Sequence, residues 1–97
     1  MNADPNKYDV EYMTERLVHH LHEFERASAE WDHADMRLKH KAHGDAVALR
    51  IARRDDQDRG DAYKAVDFHM SAVTMYDTAI TACCARLEAH RVAAAGG

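Results

Sequence analysis

The stretch "VEYMTERLVHHLHEFERASAEWDHADMRL", residues 10–38, decides the fold. Val10, Leu17, Phe24, Trp31 and Leu38 recur at every seventh position, and Met13, Leu21, Ala27, Ala34 and Ala42 fill the three- and four-residue steps between them. At 3.6 residues per turn these positions form one apolar stripe, the pattern of a long amphipathic helix. The same stretch is rich in histidine. On a wheel of ~100° per residue, His19, His22, His33 and His40 fall opposite the stripe, and His20 alone touches its edge.

Upstream, Asp4-Pro5 suits a helix start, with an acidic cap followed by proline where its missing N–H costs nothing. Downstream, "RLKHKAHG" gathers bases near a helix end and places Gly44 where a left-handed residue closes it. The first helix is therefore expected over residues 5–43. Continuity through Gly44 remains an alternative, because a glycine inside a helix costs only ~1 kcal/mol. Asp45 can cap a short helix over 45–56. "RRDDQDRGD", residues 53–61, has no apolar side chain and reads as a turn or solvated helix end, with Gly60-Asp61 as stop and restart.

A last helix is expected over 61–94, ahead of a frayed tail at 95–97. Val66, Val73, Ile80 and Leu87 form its heptad line, flanked by Ala62, His69, Tyr76, Cys83 and His90. Ala65, Ala72 and Ala79 lie beside that seam and permit close approach of a neighbouring helix. The composition agrees: 18 alanines, one proline and four glycines favour helix. The expected fold is all-α, an antiparallel hairpin of two long helices with a short third helix in the bend. It forms one domain over residues 1–97, dimerising into a helical bundle.

Charge is unevenly spread behind a net value of −4. Residues 1–36 balance to −6, residues 37–54 to +5 and residues 55–97 to −3. The basic belt, Arg37, Lys39, Lys41, Arg50, Arg53 and Arg54, is a candidate surface for an anionic partner such as nucleic acid. It lacks interleaved aromatics, and the overall charge opposes non-specific nucleic-acid binding. A solvated face, or pairing with the acidic first third in an oligomer, is the preferred reading.

Other functions find little support. A metal centre needs ligands converging on one point. His19-x-x-x-Glu23 is the one matching pair, and Arg26 stands a turn beyond His22, so no metal or other cofactor is expected. There is no glycine-rich phosphate loop and no G-x-S-x-G elbow. Cys83 and Cys84 lie near a helix C-terminus, where the dipole disfavours a thiolate, so no catalytic residue is assigned. Adjacent helical cysteines point ~100° apart and read as free thiols in a reducing cytoplasm. No leader-like or membrane-spanning run is read in the sequence. His69 and His90 fall on the seam of the last helix, where a histidine finds a partner across the interface or becomes pH-sensitive.

The apolar excess is the most informative feature. Phe68 and Met75 face away from the seam, Met70 and Tyr63 are read as widening that surface, and Trp31 adds a large aromatic beside small residues. An apolar patch of this kind calls for a covering helix. Trp31, Phe68, Met70 and Met75 are accordingly the expected protein-interface residues. The expected function is that of a small non-enzymatic, cytoplasmic accessory or regulatory protein, bacterial or phage-encoded. It would form homodimers and bind another protein through an apolar helix face. The alternatives are a nucleic-acid accessory factor using residues 37–54 and, below it, a His/Glu metal-binding helical protein.

Overall fold

A computed structural model describes residues 7–96. It is an antiparallel hairpin of two long helices, α1 (Lys7–Ala42) and α3 (Gln57–Gly96), with the short α2 (Ala46–Asp55) in the bend. No strand occurs among the described residues. At ~1.5 Å per residue α1 and α3 run to roughly 54 and 60 Å, and the molecule measures 71 × 22 × 19 Å. Its radius of gyration is 21.0 Å, against about 12–13 Å for a compact globule of this length. The heptad stripes of the two long helices meet along the hairpin, as their spacing requires.

Gly44 ends α1. His43 and Gly44 take φ values of 49° and 81°, two successive left-handed residues that helical geometry cannot accommodate. The chain then turns into α2, capped by Asp45, whose Oδ1 accepts from the backbone N–H of Val47 and Ala48, each at 3.0 Å. Asp45→Ala is expected to cost about 1 kcal/mol, as for other N-cap losses, and to fray α2. Amide exchange at Val47 and Ala48 measures it, and unchanged protection there would show that the cap is dispensable.

The second turn differs from the expectation of a stop at Gly60-Asp61. Asp56 is the sole non-helical residue between α2 and α3. Its backbone N–H donates to Ala52 O at 3.0 Å, closing α2. Its carboxylate accepts from the Arg59 N–H at 2.8 Å, opening α3. One aspartate thus caps two helix ends, and α3 begins four residues earlier than the apolar pattern suggests. Gly60 lies inside the first turn of α3, where it needs no special backbone angle. The Asp4-Pro5 start lies outside the described residues.

The core is thin. Ala27, Ala34 and Leu38 of α1 and Ala62 and Cys83 of α3 are its buried apolar residues. Alanines let the helices approach closely but remove little apolar area per residue. Two polar groups, His20 and Asp35, are buried as deeply, each only 6% exposed.

Candidate interaction surfaces

Asp35 organises the bend. It sits one position from the α1 seam, between Ala34 and Leu38, and its carboxylate meets side chains of α2 and α3. Arg53 of α2 donates through Nε at 2.7 Å and Nη2 at 2.8 Å, a bidentate pair. Arg59 of α3 adds Nε at 3.0 Å, and Lys39 reaches the second oxygen at 3.6 Å. Arg53 first, and then Arg59, hold the Asp35 carboxyl down to about 2 against the cost of burial. One carboxylate therefore ties all three helices together. Arg59 also lies over the Trp31 ring at 5.0 Å from its centroid. The Trp31 Nε1–H is buried with no hydrogen-bond partner among the described residues.

This arrangement draws apart the basic belt that the sequence presents as one surface. Arg53 and Lys39 serve Asp35, Arg37 bridges both oxygens of Asp56 at 3.2 Å, and Arg54 pairs with Asp55 at 2.9 Å. Lys41 and Arg50 are exposed. Four of the six belt residues thus pair with acids of this chain, Arg53 and Arg37 partly buried and Arg54 and Lys39 mostly exposed. Neither the hub at Asp35 nor the part of Arg59 emerges from periodicity. The signal was an acid beside the apolar line of α1, with arginines about 18 and 24 residues later.

The histidines divide as the wheel predicts, with one exception. His19, His22, His33 and His40 are exposed. His20, read as an edge residue, is buried and meets His69 across the hairpin, Nδ1 to Nδ1 at 2.9 Å. The His20 ring stacks near Tyr76 at 5.8 Å and 21° and meets Phe68 edge-on at 5.9 Å. Burial first, then the His69 ring and Arg16, push the His20 pKa down, while Glu23 opposes them. His69 thus has the cross-interface partner expected of a seam histidine, and His90 is exposed. Among the described residues no three His, Cys, Asp or Glu side chains converge to hold a metal ion. Cys83 is buried, Cys84 is exposed, and both are free thiols.

The apolar candidates lie on two flanks of α3 rather than one. Phe68 and Met75, 61% and 56% exposed, line a groove with Arg16, His20, Ala72 and Tyr76. Tyr63 instead closes a smaller recess with Trp31, Ser28, Asp32 and Val66. Met70, a heptad on from Tyr63, shares the Tyr63 flank. The two flanks stand ~100° either side of the α1-facing line, so Tyr63 and Met70 do not widen the Phe68 surface. A third apolar pair, Val47 and Ile51, is exposed on α2, where the sequence offered no seam to judge it against.

No helix among the described residues is long and apolar enough to cross a membrane. Compared with known proteins, the chain matches no family model, no curated protein and no solved structure.

Proposed function

We propose that this chain is a non-enzymatic, self-associating helical hairpin that presents an apolar helix face to a second copy and to a protein partner. One observation carries the reading. Among the described residues Leu38 is the only buried apolar side chain larger than cysteine, in a chain with 46% hydrophobic residues. A hairpin covering so little apolar surface gains little against the entropy of ordering its backbone, and a second hairpin supplies the missing burial. The free thiols of Cys83 and Cys84 fit a reducing, cytoplasmic setting. The nucleic-acid alternative draws less support, because most of the basic belt is engaged by Asp35, Asp55 and Asp56.

Light scattering across concentration tests the proposal. The expected result is a dimeric wild type and a monomeric Phe68→Asp, Met75→Asp double variant of undiminished helicity by circular dichroism. Both side chains are largely exposed in the hairpin, although Phe68 meets the His20 ring edge-on, so the helicity measurement separates lost association from lost packing. A wild type of monomer mass at every concentration, or a double variant that still dimerises, would overturn it.

A further inference from the structure

The flank of α3 that carries Phe68 and Met75 has an order of its own. Asp61, Ala65, Phe68, Ala72, Met75, Ala79, Ala82 and Arg86 follow one another at alternating four- and three-residue steps, a second heptad line. It lies ~100° round the helix from the line that meets α1. Every residue on it is exposed or half-buried in the hairpin. The line alternates large with small in its middle and carries opposite charges at its two ends.

We infer that a second copy of the chain seats its α3 antiparallel on this line, in one register. This rests on the self-association proposed above and adds its geometry. With the two-fold axis between Ala72 and Met75, Phe68 of each copy faces Ala79 of the other, and Met75 faces Ala72. Each large side chain then enters the space above an alanine, as interdigitated helix packing demands. Ala65 faces Ala82, which lets the backbones close up on either side. At both ends Asp61 of one copy meets Arg86 of the other, so the charge pattern matches itself only when the helices run in opposite directions. A parallel pairing would set Asp61 on Asp61 and Arg86 on Arg86, and like charges placed directly together disfavour it.

The groove beside α3 agrees with this register. It centres on Ala72, between the Phe68 and Met75 ridges, with Tyr76, His20 and Arg16 as its far wall. Met75 of the second copy enters there. The two α3 helices then lie side by side along most of their length, and the bends of the two hairpins lie at opposite ends of the assembly. The interface is isologous and closes on itself, so it gives a dimer rather than a filament.

Charge reversal and its rescue test the register. Asp61→Arg alone, or Arg86→Asp alone, is expected to raise the dimer dissociation constant by at least about tenfold, since each places like charges together twice per dimer. The double variant Asp61→Arg, Arg86→Asp is expected to restore it. Both side chains are exposed, so circular dichroism of each variant should match wild type. Sedimentation equilibrium at low salt reads the constants. A dimer indifferent to the single reversals, or one not restored by the double, overturns this arrangement while leaving self-association intact. A wild type that never dimerises overturns both.

Discussion

Asp35→Ala is expected to lower the unfolding free energy by about 3 kcal/mol, and Asp35→Asn by nearly as much. The Asp35 side chain is 9% exposed, and its carboxylate receives two arginines and a lysine. Removing it leaves Arg53 and Arg59 facing each other with no anion between them. Breaking a buried pair from one side costs about 3–5 kcal/mol. The lower end applies here because the Arg53 and Arg59 side chains keep 34% and 22% of their exposure and regain water readily. Asparagine keeps the shape but loses the charge that both guanidiniums require. Replacing Asp35 with leucine together with Arg53→Met should recover part of the loss, since an apolar contact of similar volume needs no counter-charge. Urea denaturation at pH 7, in the Phe68→Asp, Met75→Asp background so that dissociation does not enter, measures all three.

The same carboxylate predicts a course in acid. Its folded pKa of about 2 lies below the ordinary 3.8, so its contribution is fully present above about 3.8 and is lost as pH falls towards 2. Asp35→Asn should therefore flatten the acid limb of the stability curve in that window. A loss under about 1 kcal/mol for Asp35→Ala, with an unchanged acid limb, would mean that the bend is held by something else.

What the sequence reveals and what it hides follow from the range of the interactions. The two long helices were legible because a heptad repeat is a local signal, repeated at five positions from Val10 through Leu17, Phe24 and Trp31 to Leu38. The break at Gly44 was legible as one of two outcomes, since glycine permits a left-handed residue without compelling it. His43 joining it at positive φ had no sequence signal. The start of α3 was missed because "DDQDRGD" has no apolar residue, and the periodic pattern cannot register a first turn held by Arg59 on Asp35, Asp56 and the Trp31 ring. The Asp56 cap, with a polar helical run after it, was the sign available.

The site was harder to read than the fold. A charge belt is visible along the chain, but which bases an acid elsewhere will take depends on how far the bend folds back. Asp35 captures Arg53 and Arg59 only because α2 returns over α1 before α3 departs. The exposure of Phe68 and Met75 was readable from angle alone. The separation of Met70 and Tyr63 from them was also available, since both lie on the Trp31 side of the wheel, and grouping the four ignored that ~200° difference around α3. His20 was placed at the seam edge correctly in angle. Its burial came from Phe68 and Tyr76 of the other helix, which the α1 wheel does not contain.

That histidine carries the second large effect. His20→Ala is expected to cost about 2–3 kcal/mol at pH 8, since it removes a buried ring and leaves Nδ1 of His69 without its partner. In the wild type the His20–His69 contact needs one imidazole to donate through Nδ1–H and the other to accept through a bare Nδ1. A second proton on the pair would set two N–H groups against each other at 2.9 Å. The groups facing His20 reinforce this: His69 and Tyr76 from α3, Arg16, His19 and Glu23 from α1, with only Glu23 favouring the cation.

The sign follows. The unfolded chain protonates this histidine near 6.5, whereas the folded chain, with its pKa lowered by burial and by His69, does so only in stronger acid. Stability is therefore full above 6.5 and is lost as pH falls through 6.5 towards the folded value. Most carboxylates stay ionised above pH 5, so the interval from 7.5 to 5 isolates histidine. His20→Phe keeps an aromatic ring between Phe68 and Tyr76 and removes one of the two imidazoles. Its urea midpoint is expected to change much less across that interval than that of the wild type. Equal slopes in the two proteins would place the acid sensitivity elsewhere, and a flat wild-type profile would show that the pair tolerates the proton. The expected steep wild-type slope would make the open half of the hairpin, where His20 adjoins the Phe68 groove, the part that acid loosens first.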